Sequence, residues 1–188
     1  MNTKDIEVIP GISPHTLRID EIRDGDQGLI EAKEAERSAI VGLLDLGELS
    51  RLDLSYSLHR QGQGRIGLKG RLTAKLTQTC VVSLEPLPQE LDVPIEVAFW
   101  PVSQIRDMEK AAAEESTSQG ILDWPESIVD GKIDLGPVLY ESLATALDPY
   151  PRAKDVAFAW ASQGEPAAEE ETPATTGPFA ALARLKQP

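Results

Sequence analysis

A single cysteine, Cys80, occurs in 188 residues. One thiol excludes an intramolecular disulfide and any cysteine-rich zinc site, and a reducing compartment is the simplest setting for it. Aromatic residues are scarce, with three Phe, three Tyr and three Trp. Aliphatic side chains must therefore fill most of the core, and the 41% hydrophobic content is enough for one of ordinary size. No stretch approaches the roughly 20 apolar residues of a membrane span. The N-terminus, MNTKDIEVIPGIS, has neither a basic n-region nor an apolar h-region, so no signal peptide is expected. These absences point to a soluble cytoplasmic protein, and the length to about one domain.

Positive charge is also in short supply. Eighteen Lys and Arg face 31 Asp and Glu, a net charge of −13. Such a chain repels nucleic acid at long range and attracts basic proteins. The exception is residues 51–80. Arg51, Arg60, Arg65, Lys69, Arg71 and Lys75 stand there against Asp53 alone, a net of +5. Residues 81–100 carry Glu85, Glu90, Asp92 and Glu96 and no base, a net of −4. A basic patch on an acidic protein is a candidate contact surface. It has a second reading, as solubilising charge that blunts strand edges and pairs with the neighbouring acids.

The patch lies on the clearest secondary-structure signal in the chain. Leu52, Leu54, Tyr56 and Leu58 alternate with polar residues, the mark of a half-buried strand. Gln61-Gly62-Gln63-Gly64 reads as a hairpin loop. Beyond it, Ile66, Leu68, Leu72, Ala74 and Leu76 face one way, while Arg65, Lys69, Arg71, Lys75 and Thr77 face the other. Gly70 falls on the inward set, which suggests a bulge or a close backbone approach. Cys80 has the inward parity too. Leu84–Glu90 is expected to turn, with Pro86 and Pro88 preventing a central strand there. Leu91, Val93, Ile95, Val97 and Phe99 then face inward on a last strand.

On either side the signals are coarser. His15–Ile22 and Leu29–Lys33 read as strands joined by an Asp24-Gly25-Asp26 turn. Glu34–Leu44 reads as a helix with an acidic first turn and a stripe of Ala39, Ile40, Leu43 and Leu44. Residues 103–120 read as a mobile acidic loop. Asp134–Leu147 reads as a second main helix, with Asp134 as cap, Pro137 in the first turn and Leu135, Leu139, Leu143 and Leu147 as its stripe. Residues 161–178 are low-complexity and rich in Pro, Glu, Ala and Thr, a composition that favours disorder. Phe179, Leu182 and Leu185 form a short apolar stripe near the end. The expected fold is α+β: an antiparallel β-sheet meander packed with two main helices over residues 1–152, then a largely disordered tail over 153–188.

Catalytic sets do not emerge. His15 and His59 lie on separate expected strands, and His59 falls on a polar face, where it reads as a solvated histidine. No serine has a nucleophile-elbow context. Gly62 and Gly64 lack the spacing and the following helix of a phosphate loop. Cys80 reads as a small buried hydrophobe. The alternative, a redox-sensing thiol, would need an accessible electropositive setting.

Two blocks carry a family resemblance. GRLTAKLTQTCVVSLEPLPQELDVPIEVAFWP is similar to the centre of the YceD-type bacterial proteins, through Gly70, Ala74, Gln78, Cys80, Leu84, Glu85 and Phe99. KIDLGPVLYESLATALDPYPR resembles a second family segment, through Ile133, Asp134, Leu135, Glu141, Leu147, Pro151 and Arg152. PFAALARLK is similar to the tail of many members. The resemblance implies a non-enzymatic role in accumulation, processing or stability of large-subunit (23S) rRNA, within ribosome biogenesis. It implies no cofactor and no catalytic residue. Many relatives have a second cysteine three positions after the first. Ser83 stands there in this chain, so no metal role carries over.

The expected partner is large-subunit rRNA or a basic large-subunit ribosomal protein, with no membrane and no small-molecule substrate. In the first case Arg65, Lys69, Arg71 and Lys75 contact phosphates. In the second the acidic surface holds the basic protein. An acidic interaction adaptor unrelated to ribosomes is the rival reading.

Overall fold

The computed structural model describes residues 9–114 and 124–154. The tail beyond residue 154, its apolar stripe at Phe179, Leu182 and Leu185, and residues 115–120 of the expected loop lie outside the described residues. Chain order is β1 (Thr16–Arg18), β2 (Asp26–Glu31), α1 (Glu34–Leu43), β3 (Glu48–Gln61), β4 (Arg65–Thr79), β5 (Pro86–Pro101), α2 (Val102–Glu114), β6 (Glu126–Ile128), β7 (Lys132–Asp134) and α3 (Gly136–Ala146). This is an α+β fold. A five-stranded sheet runs β2-β3-β4-β5-β6, antiparallel except for β5–β6, and β1 pairs with β7 in a separate ribbon.

Alternation builds the centre of the sheet. Ile66, Leu68, Leu72, Ala74 and Leu76 of β4 are buried, as are Leu52, Leu54 and Leu58 of β3 and Ile95 and Phe99 of β5. Ile40 of α1 and Val138, Leu139 and Leu143 of α3 join them in one aliphatic core. Gly70 marks a close approach and no bulge, since β4 keeps regular register with both neighbours from Ile66 to Lys75. A Cβ at Gly70 would stand 2.6 Å from the Ser55 carbonyl oxygen. The sheet's register shift lies instead between Leu49 and Arg51 of β3.

Two expectations about breakers are corrected. Pro86 and Pro88 lie within β5, where a turn over Leu84–Glu90 was expected, and Pro94 lies within the same strand. Hydrogen-bonding direction explains this. The Ala32 N–H donates to the Leu52 carbonyl, so even-numbered residues of β3 bond to the β2 side and odd-numbered ones to β4. Carried across the register, odd-numbered residues of β5 bond to β4 and even-numbered ones point away. All three prolines are even-numbered. They present their ring nitrogens on the side where β6 pairs with only Phe99, Trp100 and Pro101. Residues 103–114 of the expected loop are helical as part of α2. Val102, Ile105 and Met108 are half-buried at a spacing of three, and Ala111–Ala113 have the highest helix propensity of any residue type.

The helix α1 buries Glu36 and Ile40 and leaves Leu43 exposed, so the expected apolar stripe is rotated. Glu36 is only 2% exposed. Its carboxylate accepts the Lys33 N–H at 2.8 Å and the Ser13 N–H at 3.0 Å, and His15 Nε2 lies 3.4 Å away. One side chain thereby caps α1 and pins the segment leading into β1. That segment is also tied to α3, because Asp134 Oδ1 accepts the His15 and Gly136 N–H groups. Burial pushes the Glu36 carboxyl up, but the N–H donors and His15 outweigh it and hold the group below its ordinary range.

A folded-state value below the unfolded one stabilises the protein above the ordinary carboxyl value of 4.5 and is lost as pH falls through the folded value. Glu36→Gln should flatten that acid limb in thermal melts across pH. Glu36→Ala strips two N–H donors of their partner and should cost about 2–3 kcal/mol at neutral pH by urea titration.

Candidate functional site

The outer face of β3, β4 and β5 collects the four cations named as a candidate contact row. Arg65, Lys69, Arg71 and Lys75 share one face of β4 through the same alternation that buries the leucines. The structure engages every one of them. Lys69 Nζ lies 3.3 Å from Glu96 Oε1 and Lys75 Nζ 2.8 Å from Glu90 Oε1, each pair directly opposed in the register. Arg71 stands opposite Pro94, which offers no charge, and reaches diagonally to Asp92 Oδ1 at 2.6 Å. The Arg65 guanidinium stacks on the Trp100 ring, 3.6 Å from its centroid, and donates to Gln104 Oε1 at 2.6 Å. Gln104 Nε2 donates in turn to the Gln63 carbonyl in the β3–β4 hairpin.

Exposed pairs of this kind contribute about 0–1 kcal/mol each to stability. Their larger consequence is electrostatic. Lys69, Arg71 and Lys75 each have a carboxylate beside them, and the Lys75 ammonium holds the Glu90 carboxyl below its ordinary range. Arg51 pairs on the same face with Asp53, which is buried. A shallow depression of about 270 Å³ between Arg51, Thr73, Lys75, Glu90 and Asp92 is lined by both signs. The face is a lattice of alternating charge.

The family-motif positions part into separate places. Gly70 is the close-approach glycine at the centre of the sheet. Asp134 precedes α3 and ties it to His15. Glu141 lies on the exposed side of α3. Gln78, Cys80, Glu85 and Arg152 gather where the β4–β5 turn meets the segment after α3. Gln78 Nε2 donates to the Asp148 carbonyl at 3.0 Å, and the Val81 N–H donates to the Pro151 carbonyl at 2.9 Å. The Cys80 N–H donates to the Glu85 carbonyl, closing the turn.

Cys80 is fully buried, as its parity implied. Its Sγ accepts the Ser83 N–H at 3.4 Å. The Ser83 side chain, with the Ser83, Ala153 and Val82 N–H groups, favours the thiolate and pushes the thiol down to about 6 against the opposing effect of burial. Ser83, three positions after Cys80, serves it as a hydrogen-bond donor. Among the described residues no group of three or more His, Cys, Asp or Glu side chains is placed to hold a metal ion. No helix among them is long and apolar enough to cross a membrane. The histidines differ. His59 is exposed beside Asp24 and Ser57, whereas His15 meets the buried Glu36, a contact that sequence reasoning did not find.

Ser83→Ala should move the Cys80 titration back toward the ordinary thiol range, read from thiolate absorbance against pH. In wild-type protein Cys80 should label slowly with a thiol reagent and at once in denaturant. Rapid native labelling would contradict the burial and favour a redox-sensing role.

Comparison with known proteins follows the motif blocks. No curated protein matches the chain, and no solved structure matches it. A family model does match, over residues 68–186, from near the start of β4 to near the end of the sequence. It covers more than half of the sequence, and the chain belongs to the family described as large ribosomal RNA subunit accumulation protein YceD.

Proposed function

We propose that the chain is a non-enzymatic factor for accumulation of large-subunit (23S) rRNA that works by holding a basic large-subunit ribosomal protein. The observation that carries this reading is the pairing of Lys69, Arg71 and Lys75 with Glu96, Asp92 and Glu90. A phosphate approaching any of these cations meets a carboxylate whose oxygen lies within 3.3 Å of that cation. Residues 51–80 at +5 and 81–100 at −4 leave the three central strands near +1, and the rest of the chain carries −14. A field of that sign draws in basic proteins and keeps nucleic acid away. A ribosomal protein held out of aggregation until it meets rRNA would favour accumulation of the large-subunit rRNA without any chemical step.

The spacing of the row favours a second reading, in which Arg65, Lys69, Arg71 and Lys75 contact rRNA phosphates. Four such contacts on single-stranded RNA would give a log–log salt slope of about −3.

The deciding experiment depletes the protein and measures the ratio of large- to small-subunit rRNA, then complements with a pair-neutralised variant. That variant carries Lys69→Gln, Glu96→Gln, Arg71→Gln, Asp92→Asn, Lys75→Gln and Glu90→Gln, and its net charge is unchanged. The expected outcome is a selective fall in 23S rRNA on depletion, restored by the variant. A folded variant that fails to restore the ratio would favour phosphate contact. An unchanged ratio on full depletion would favour an adaptor unrelated to ribosomes.

A further inference from the structure

Among the described residues the sheet has two open flanks, and they differ in sequence. On β5, even-numbered residues point their backbone groups outward, and Pro86, Pro88 and Pro94 remove three of those donors. That flank is a poor template for another strand. On β2 there is no proline. Even-numbered residues of β2 bond to β3, so Gln27, Leu29 and Glu31 direct their N–H and C=O groups away from the sheet. Among the described residues no other strand pairs with β2. Leu29, at the middle of this edge, is 59% exposed.

The charge around the open edge is also distinctive. Asp26 and Glu31 stand at its two ends, and Glu34 opens the helix that follows. Among the described residues these three take part in no ion pair, whereas three acids of β5 are paired with the β4 cations. Residues 20–36 hold seven acids, Asp20, Glu21, Asp24, Asp26, Glu31, Glu34 and Glu36, against Arg23 and Lys33, a net of −5. An open strand edge with acids outside any ion pair at its ends and one apolar side chain at its centre suits an extended segment with basic residues towards its ends and an apolar residue at its centre.

We propose that β2 is the docking edge for an extended Lys/Arg-rich segment of a partner protein, which adds to the sheet as a sixth strand. Main-chain bonds to Gln27, Leu29 and Glu31 hold the added strand. Asp26, Glu31 and Glu34 select its charge, and Leu29 packs against an apolar residue between the basic ones. The proposal rests on the reading that the chain holds a basic ribosomal protein, and it names the surface and the mode of recognition. The edge precedes the segment matched by the family model, residues 68–186.

The test uses the full chain and a blocked peptide with Lys towards both ends and Val at its centre, with the matching Glu/Val peptide, poly(U) RNA and a basic ribosomal protein for comparison. Hydrogen exchange should slow at the amides of Gln27, Leu29 and Glu31 when the Lys/Val peptide is added, and affinity should fall with salt. Leu29→Pro removes an outward N–H while leaving the bonds to β3 intact. It should weaken binding about tenfold or more, whereas Leu29→Ala should weaken it less, because the N–H remains. Unprotected edge amides, or wild-type affinity in a folded Leu29→Pro variant, would overturn the proposal. Equal binding of the Glu/Val peptide would overturn its charge selectivity, and protection of the same amides by poly(U) would overturn the assignment to a protein partner. If the basic ribosomal protein binds wild type and Leu29→Pro alike, the edge fails while the functional reading stands. If it does not bind wild type at all, that reading fails as well.

Discussion

Strand β4 is the element on which the rest of the structure depends, because from Ile66 to Thr77 it is paired on both sides. Its period of two does three jobs at once. Inward leucines and Ile66 form the middle of the core, outward Lys69, Arg71 and Lys75 meet the acids of β5, and a small residue at Gly70 lets β3 approach. Shifting the register by one residue would bury four cations and expose five aliphatic side chains, so the pairing is held by the hydrophobic pattern far more strongly than by the ion pairs. The exposed pairs then act as fine registration: Lys69 opposite Glu96 and Lys75 opposite Glu90 match only in the observed alignment.

Glycine and tyrosine show how this order extends outward from β4. Tyr56 of β3 stands between Gly70 on one side and Gly28 of β2 on the other. A Cβ at Gly28 would collide with the Tyr56 ring. The tyrosine thus covers the inner face of β2 where that strand has no side chain of its own. Burial and the nearby Asp26 push the Tyr56 hydroxyl above its ordinary range, in keeping with a ring laid into the sheet.

The parts of the fold legible in the sequence are those with strong local periodicity. β3, β4 and the inner face of β5 follow from alternation, and α3 follows from leucines spaced four apart. The pairing of β4 cations with Glu90, Asp92 and Glu96 was legible as one of two alternatives, since charge complementarity in sequence does not fix the register that realises it. The parts that were not legible depend on long-range geometry. Pro86, Pro88 and Pro94 are local breakers whose effect is decided by which side of the strand has a neighbour. The α2 residues look loop-like by charge and become helical because Val102, Ile105 and Met108 find cover. Glu36 sits three residues after Lys33, but Lys is a poor N-cap type, so the spacing gave no capping-box signal. Ser13 and His15, which complete the Glu36 site, arrive from more than 20 residues away. The direction of backbone bonds on β2 could not be read from composition at all, and it depends on the pairing with β3.

Charge placement connects this architecture to function. A ladder that consumes its own cations leaves a net-acidic protein with little positive field to offer a polyanion, whatever the local count of Lys and Arg. The same reasoning applies to acids: those of β5 are spent on β4, while Asp26, Glu31 and Glu34 at the far side of the sheet are not. Since a paired charge must give up its partner before it can pair with a charge on another molecule, a charged partner gains most where the opposing charges are unpaired and least where they are matched. By that measure the β2 side of the sheet, and not the cationic row that stands out in the sequence, is where electrostatics would favour a basic partner.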